Sequence, residues 1–278
     1  MVRSYVERLP EPELSALVRT VWVHRTDDVP YVQRRLPAGG VDLHWPLGGE
    51  PQLLGPLTGP VLEVIPARTT IVGIRFRPGG NPLLPVALSE LLDQWVGLRE
   101  LGYRWVERLG DAMVNAPTPE SALAMLQAHL LQEVRAATRA DPLMDEAVRL
   151  LMPWQRSEVG VLASHLGLSA SQLRRRCLHV VGVTPKVLQR TLRFQGFLAL
   201  AQAATTPLGQ PGAEGMAGLA ADVGYADQSH LSRECLRLAG VTPSALFGGE
   251  VERCLREHDH AASYRSFLAA RARPPLRL

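Results

Sequence analysis

Apolar and polar positions alternate along the first part of this chain and recur at helical spacing along the rest. Up to about residue 80, short β-like runs sit between turns rich in Pro and Gly: Val21-Trp22-Val23-His24, Val41-Asp42-Leu43-His44-Trp45, Val61 to Ile65, and Thr70 to Arg77. In the last run Val72, Ile74 and Phe76 point one way, and Gly73, Arg75 and Arg77 point the other. Pro78-Gly79-Gly80-Asn81-Pro82 stops it. Several short strands with frequent turns predict a small barrel or sandwich.

From about Leu83 the period becomes helical. Ser89 is placed to cap a helix carrying Leu91, Leu92 and Trp95. Thr118-Pro119-Glu120 is a stronger start signal: a capping hydroxyl, proline at the first helical position, then an acid. Leu123, Leu126, Leu130 and Val134 follow at helical spacing, and the pattern runs out between Ala136 and Ala140. Asp141-Pro142 opens the next helix, with Leu143, Ala147, Leu150 and Leu151 on its apolar side, and 141 to 247 read as all-helical. Gly248-Gly249 breaks the pattern; a short helix near Glu250 to Glu257 and then loose chain are expected. The predicted architecture is α+β. A small N-terminal β-barrel or sandwich with helices (1–138) precedes an all-α domain (139–248) and a charged tail (249–278).

Two stretches of the helical part repeat each other. Leu173, Cys177, Gly182, Thr184 and Pro185 recur 58 residues later as Leu231, Cys235, Gly240, Thr242 and Pro243. Upstream, Leu162, Ala163 and Gly167 recur 57 residues later as Leu219, Ala220 and Gly224. These are the positions a helix-turn-helix needs. Alanine allows close helix approach, glycine takes the left-handed turn, and leucine roots the second helix. Gly followed by Thr-Pro ends that helix and starts another. A short polar helix braced in this way is the geometry for entering a DNA major groove.

Charge sharpens the picture. The chain of 278 residues carries a formal net charge of only +3, so overall balance says little about partners. Placement says more. Between Val159 and Ala213 there is no Asp or Glu, while Arg174, Arg175, Arg176, Lys186, Arg190 and Arg193 all fall there. Single-sign placement fits a phosphate backbone. In the first unit Ser169 is the natural N-cap, and Ser171, Arg174 and Arg175 lie in the opening turns away from Leu173. In the second unit Gln228, Ser229, Ser232 and Arg233 occupy the matching face. These seven are the candidates for base edges, Arg suiting guanine and Gln adenine. Arg176, Lys186, Arg190 and Arg193 are the candidates for phosphate, which positions without specifying.

The segment Ala220, Gly224, Tyr225, Asp227, Ser229, Leu231, Arg233, then Gly240, Thr242 and Pro243, fits the signature A-x-x-x-G-[FY]-x-D-x-S-x-L-x-R…G-x-T-P. The chain therefore resembles the AraC-type transcriptional regulators over roughly Asp141 to Phe247. The resemblance implies two helix-turn-helix units joined by a long helix, here about Pro185 to Ala203. It also implies that double-stranded DNA is the partner, read with sequence specificity. This chain departs from the family at Cys177 and Cys235, where phenylalanine is common, which implies repacking with Phe194 or Phe197. The connection Thr205 to Gly215 is also longer than usual. Leu36 to Leu43 and Gly73 to Gly80 resemble, less specifically, the N-terminal domain of one group of these regulators. By that resemblance the domain is cupin-like and binds an effector or dimerises, with Trp45 and Arg75 as candidate effector contacts. An activator would also contact RNA polymerase.

Other chemistries lack their motifs. His24 and His44 are isolated, so no metal is expected. There is no G-x-S-x-G, P-loop or Rossmann glycine pattern, so neither an enzyme nor a cofactor is predicted. The three cysteines form no CxxC, and no run of about 18 apolar residues occurs. The opening residues lack a leader pattern, and a cytoplasmic location is expected. The competing reading is an effector-binding or scaffold protein whose helical domain contacts other proteins. Salt dependence of DNA binding discriminates the two.

Overall fold

A computed structural model describes residues 4–80, 86–103, 105–136, 141–155, 158–203, 213–248 and 260–272. Eight strands come first: β1 (Ser4–Arg8), β2 (Val18–Arg25), β3 (Tyr31–Arg35), β4 (Asp42–Pro46), β5 (Gln52–Leu54), β6 (Val61–Ile65), β7 (Thr70–Phe76) and β8 (Trp95–Gly97). Six form one antiparallel sheet in the order β1-β2-β7-β4-β5-β8, and β3 and β6 pair as a separate ribbon. The sheets do not close into a barrel.

The large sheet is buried on both faces: every residue of β2 but Arg25 is buried, the polar Arg19, Thr20 and His24 included. On one face Leu43, Trp45, Val72, Ile74 and Phe76 pack against α1 (Trp105–Val114) and α2 (Pro119–Ala136) through Leu123, Leu126 and Leu130. On the other, Tyr5, Trp22 and Ile71 meet Tyr31 and Ile65 of the ribbon.

The expected helix at Ser89 is not formed. A 3-10 turn spans Leu88–Leu91, Asp93 takes a left-handed backbone (φ 56°), and β8 pairs with β5. The Asp93 carboxylate accepts from Thr58 N (2.7 Å) and Thr58 Oγ1 (2.6 Å), fixing that reversal. A short apolar run cannot by itself be assigned to helix or strand, and a pairing edge decided it. The start at Thr118 is as read: its hydroxyl accepts from Ser121 N at 3.1 Å.

The helical part comprises α3 (Pro142–Leu151), α4 (Val159–His165), α5 (Ala170–Val180), α6 (Pro185–Ala203), α7 (Ala213–Asp222), α8 (Gln228–Ala239), α9 (Pro243–Gly248) and α10 (Ala261–Arg271). Asp141 caps α3 by accepting from Leu143 N, and Met144 rather than Leu143 leads its buried side. The expected helix at 250–257 and most of the 205–215 connection lie outside the described residues.

The loose tail is corrected by α10, which packs against α6, β1 and β2. Ser263, Tyr264 and Phe267 are its buried positions. Their spacing is helical but their number is small, and Ser263 is polar, so the segment reads as tail until its partners are present. Arg19 supplies them. Its Nε donates to Ser263 O (2.7 Å), a terminal nitrogen donates to Gln195 Oε1 (2.9 Å), and its guanidinium lies 4.7 Å from the Phe267 ring centre. Burial lowers the Arg19 pKa to about 10, so it stays charged. Gln195 in turn donates to Pro37 O (2.8 Å), so α10, α6 and the strand domain share one buried polar junction.

Candidate nucleic-acid interface

Each half of the repeat folds as helix, turn, helix. In the first, Gly167 turns the chain at φ 66° between α4 and α5. Ser169 then caps α5 reciprocally: its hydroxyl accepts from Gln172 N (3.2 Å), and Gln172 Oε1 accepts from Ser169 N (2.8 Å). Leu173 and Cys177 are wholly buried, and this rotation exposes Ser171, Arg174, Arg175 and Arg176. In the second, Gly224 turns at φ 88°, and Asp227 caps α8 by accepting from His230 N (2.6 Å). Leu231, Cys235 and Leu238 are wholly buried; Gln228, Ser229 and Arg233 are exposed and Ser232 is half-buried. The seven candidate base contacts thus fall on two helices that are rooted in the same way. Gln172, which lies among them in sequence, is committed to its cap.

The helix that joins the units, α6, matches the expected span of Pro185 to Ala203 and is mostly buried. Phe194 and Phe197, both wholly buried, stack with ring centres 6.5 Å apart in the core that also holds Cys177 and Cys235. Burial pushes each thiol up to about 12, so both are protonated thiols at neutral pH. We expect Cys177 and Cys235 to react with a thiol-specific disulfide reagent only on unfolding. Rapid labelling of either in the native chain, followed by mass spectrometry, would contradict this.

The positive face is less bare than the sequence suggests. Folding brings Asp141, from before the acid-free window, to 2.6 Å from Arg176. It also brings Glu234, from after it, to 3.5 Å from Arg190 and 4.0 Å from Arg237. Glu234 is 7% exposed because it lies on the Leu231–Cys235–Leu238 side of α8, which is what turns it toward Arg190. Arg193 is half-buried, with its guanidinium 5.8 Å from the Tyr225 ring centre, beside the turn of the second unit. Lys186 is exposed at the start of α6. Among the described residues, no ion pair engages Arg174, Arg175, Arg233 or Lys186.

These features decide the class of the domain. Residues 162–248 match the family model described as "Helix-turn-helix domain". The chain carries an AraC-type helix-turn-helix domain. It is a DNA-binding domain of transcription regulators. Residues 6–97 match a domain of unknown function, DUF6597. Among solved structures, ToxT from Vibrio cholerae O395 is similar at 13% identity and TM-score 0.45, over 82% of this chain and 96% of that one. A 1.65 Å structure of Vibrio cholerae ToxT gives 12% and 0.43, over 88% and 98%. Unsaturated fatty acid bound wild-type ToxT from Vibrio cholerae strain SCE256 gives 12% and 0.40, over 88% and 94%. No curated protein sequence matches. The domain's class rests on its signature residues and family match rather than on these superpositions.

The N-terminal domain touches the end of both α5 and α8 of the AraC-type domain. After α5, Gly182 (φ 85°) leaves no room for a side chain: a Cβ there would sit 2.6 Å from Pro56 Cγ and 2.8 Å from Leu88 O. After α8, Arg34 donates to Ala239 O at 2.9 Å, and Gly240 (φ 73°) faces Pro60 and Arg34. The repeated glycines therefore serve two purposes, ending each helix and admitting the strand domain.

The two candidate effector residues are not brought together. Trp45 is 2% exposed in the core between the sheet and α1, 6.1 Å from Trp105. Arg75 projects from the opposite face of β7, held by Asp42 (3.2 Å), Glu7 (3.2 Å) and Ser263 Oγ (2.9 Å). Arg75 lines a cavity of about 80 Å³ at the junction of strands, α6, α9 and α10. Trp22 and Phe76 are also buried, at 0% and 4% exposure.

Proposed function

We propose that this AraC-type protein is a sequence-specific regulator in which α5 and α8 read successive major-groove segments of one duplex. Within it, Ser171, Arg174, Arg175, Gln228, Ser229, Ser232 and Arg233 address base edges. Lys186 and Arg193 address phosphate directly. Arg176 and Arg190 do so by exchanging Asp141 and Glu234 for phosphate. The observation that carries this is the paired geometry: two capped helices, each rooted by a buried Leu–Cys pair, present opposite faces that are polar and cationic. One chain then reads an asymmetric site without a palindrome. The segment 1–138 is the modulating domain, since it meets the C-terminal turn of both recognition helices; a small-molecule effector near Arg75 would act on that contact. Self-association through this domain and contact with RNA polymerase complete the proposal.

The test is the salt dependence of binding to a selected duplex. A DNA reader loses affinity with a log–log slope of roughly −0.9 per phosphate contact. Arg193→Ala is expected to weaken specific and random duplexes alike and to make the slope shallower by about one, while Arg193→Lys keeps the slope. A flat salt response in the parent chain would favour a protein-contacting role for the helical domain.

A further inference from the structure

A second pocket lies on the other face of β7, between the sheet and α2. Leu43, Leu53, Ile74, Phe76, Leu98, Leu126 and Leu130 form its walls, and Tyr103, Trp105, His129 and Glu133 lie at its rim. It encloses about 450 Å³ including its open mouth, and its free cavity volume is about 40 Å³. Almost all its lining is apolar, yet two rim groups are buried without a hydrogen-bond partner: Trp105 Nε1 and His129 Nε2. The two rings pack against each other with centres 4.3 Å apart. Glu133 Oε1, at 3.6 Å, is too far to satisfy His129. Burial lowers the His129 pKa, which favours the neutral ring, and Nε2 accepts in the tautomer that carries its proton on Nδ1.

Two unpartnered polar atoms on touching rim residues of an apolar pocket point to the kind of ligand it takes. We infer that this pocket binds a small phenol or aromatic alcohol, whose ring enters among the leucines and whose hydroxyl bridges Trp105 and His129. The oxygen accepts from Trp105 Nε1–H and its proton is donated to His129 Nε2, so one hydroxyl pairs both groups. A hydrocarbon leaves both unpaired, and no cation is among the described lining residues to hold a carboxylate. Its cavity volume of about 40 Å³ is smaller than the roughly 150 Å³ that admits benzene, so the rim residues of α1 and α2 move outward on entry. The consequence for regulation rests on the DNA-binding reading above. Ile74 and Phe76 face this pocket, while Arg75 between them grips Ser263 of α10, so a ligand here bears on the strand that anchors the junction.

The experiment is calorimetric titration of the full chain with 4-ethylphenol and, separately, ethylbenzene. One 4-ethylphenol is expected to bind per chain, about tenfold tighter than ethylbenzene, the effect of one buried hydrogen bond. Trp105→Phe keeps a ring but removes the donor and should bring the two affinities within about twofold; His129→Phe tests the same point if that variant does not fold. Leu130→Phe, or Leu126→Phe in its place, should abolish both. No binding by the parent chain, equal affinities, or a preference that survives loss of Trp105 Nε1 overturns the inference. DNA binding measured on the same samples separates the two claims. DNA binding without phenol binding removes the pocket alone, and phenol binding without DNA binding removes the regulatory reading.

Discussion

Glu7→Ala is expected to release α10 and to cost about 3–5 kcal/mol, the scale for removing one partner from a buried ion pair. The Glu7 side chain is fully buried. One oxygen accepts from the Tyr5 hydroxyl (2.6 Å), pairs with His260 Nδ1 (2.9 Å) and lies 3.2 Å from Arg75; the other accepts from Ser263 N (3.2 Å). Without it, Arg75 keeps only Asp42 among the described residues as a counter-charge, and the first turn of α10 loses its acceptor. Burial alone would raise the Glu7 carboxyl. The hydrogen bond from His260 and the charge of Arg75 outweigh it and hold the group far below the usual carboxylate range. The sign follows: the native state binds this proton less readily than the unfolded chain does. The contribution is therefore complete above the ordinary glutamate pKa of about 4.3 and fades as pH falls below it. Urea denaturation of parent and variant at neutral and acid pH measures both effects. Limited proteolysis should cut the variant first near α10. A variant as stable as the parent at pH 7, with α10 still protected, would show that the junction is held by Arg19 and Phe267 alone.

The second large effect concerns DNA. Arg174→Ala and Arg233→Ala are each expected to weaken the specific duplex by about 1–3 kcal/mol, with far smaller losses on random DNA. Both side chains are exposed in the opening turns of their helices, and no ion pair among the described residues engages either. Because they stand on separate helices, α5 and α8, the double variant should lose close to the sum. Competition binding against random duplex reads the outcome. Equal losses on both DNAs would reassign these arginines to phosphate. The first unit supplies Arg174 and Arg175 where the second supplies Gln228, Ser229 and Arg233. α5 should therefore dominate affinity, and α8 should be the more sequence-selective.

The helix-turn-helix pair was legible because its determinants are local. Caps at Ser169 and Asp227, turns at Gly167 and Gly224, and apolar residues at helical spacing all act within a few residues of one another. Their repetition in one chain makes coincidence improbable, so the sequence alone determined the AraC-type domain, the span of α6 and the faces of α5 and α8. The strands around Val72 and Leu43 were legible for the same reason, with period two replacing the helical one.

What depends on residues far apart in sequence was decided only by folding. Arg176 and Arg190 read as bare cations until Asp141 and Glu234 arrived from outside the acid-free window. Leu88 to Gly97 became a turn and a strand because β5 offered an edge and Asp93 fixed the reversal. The tail became α10 because Glu7 and Arg19, more than 240 residues earlier, meet Ser263. Trp45 and Arg75, plausible partners in sequence, are separated because β4 and β7 send them to opposite faces of one sheet. Periodicity and capping are properties of a few consecutive residues. Charge pairing, edge pairing and the closing of a pocket are properties of surfaces that exist only once distant segments are packed.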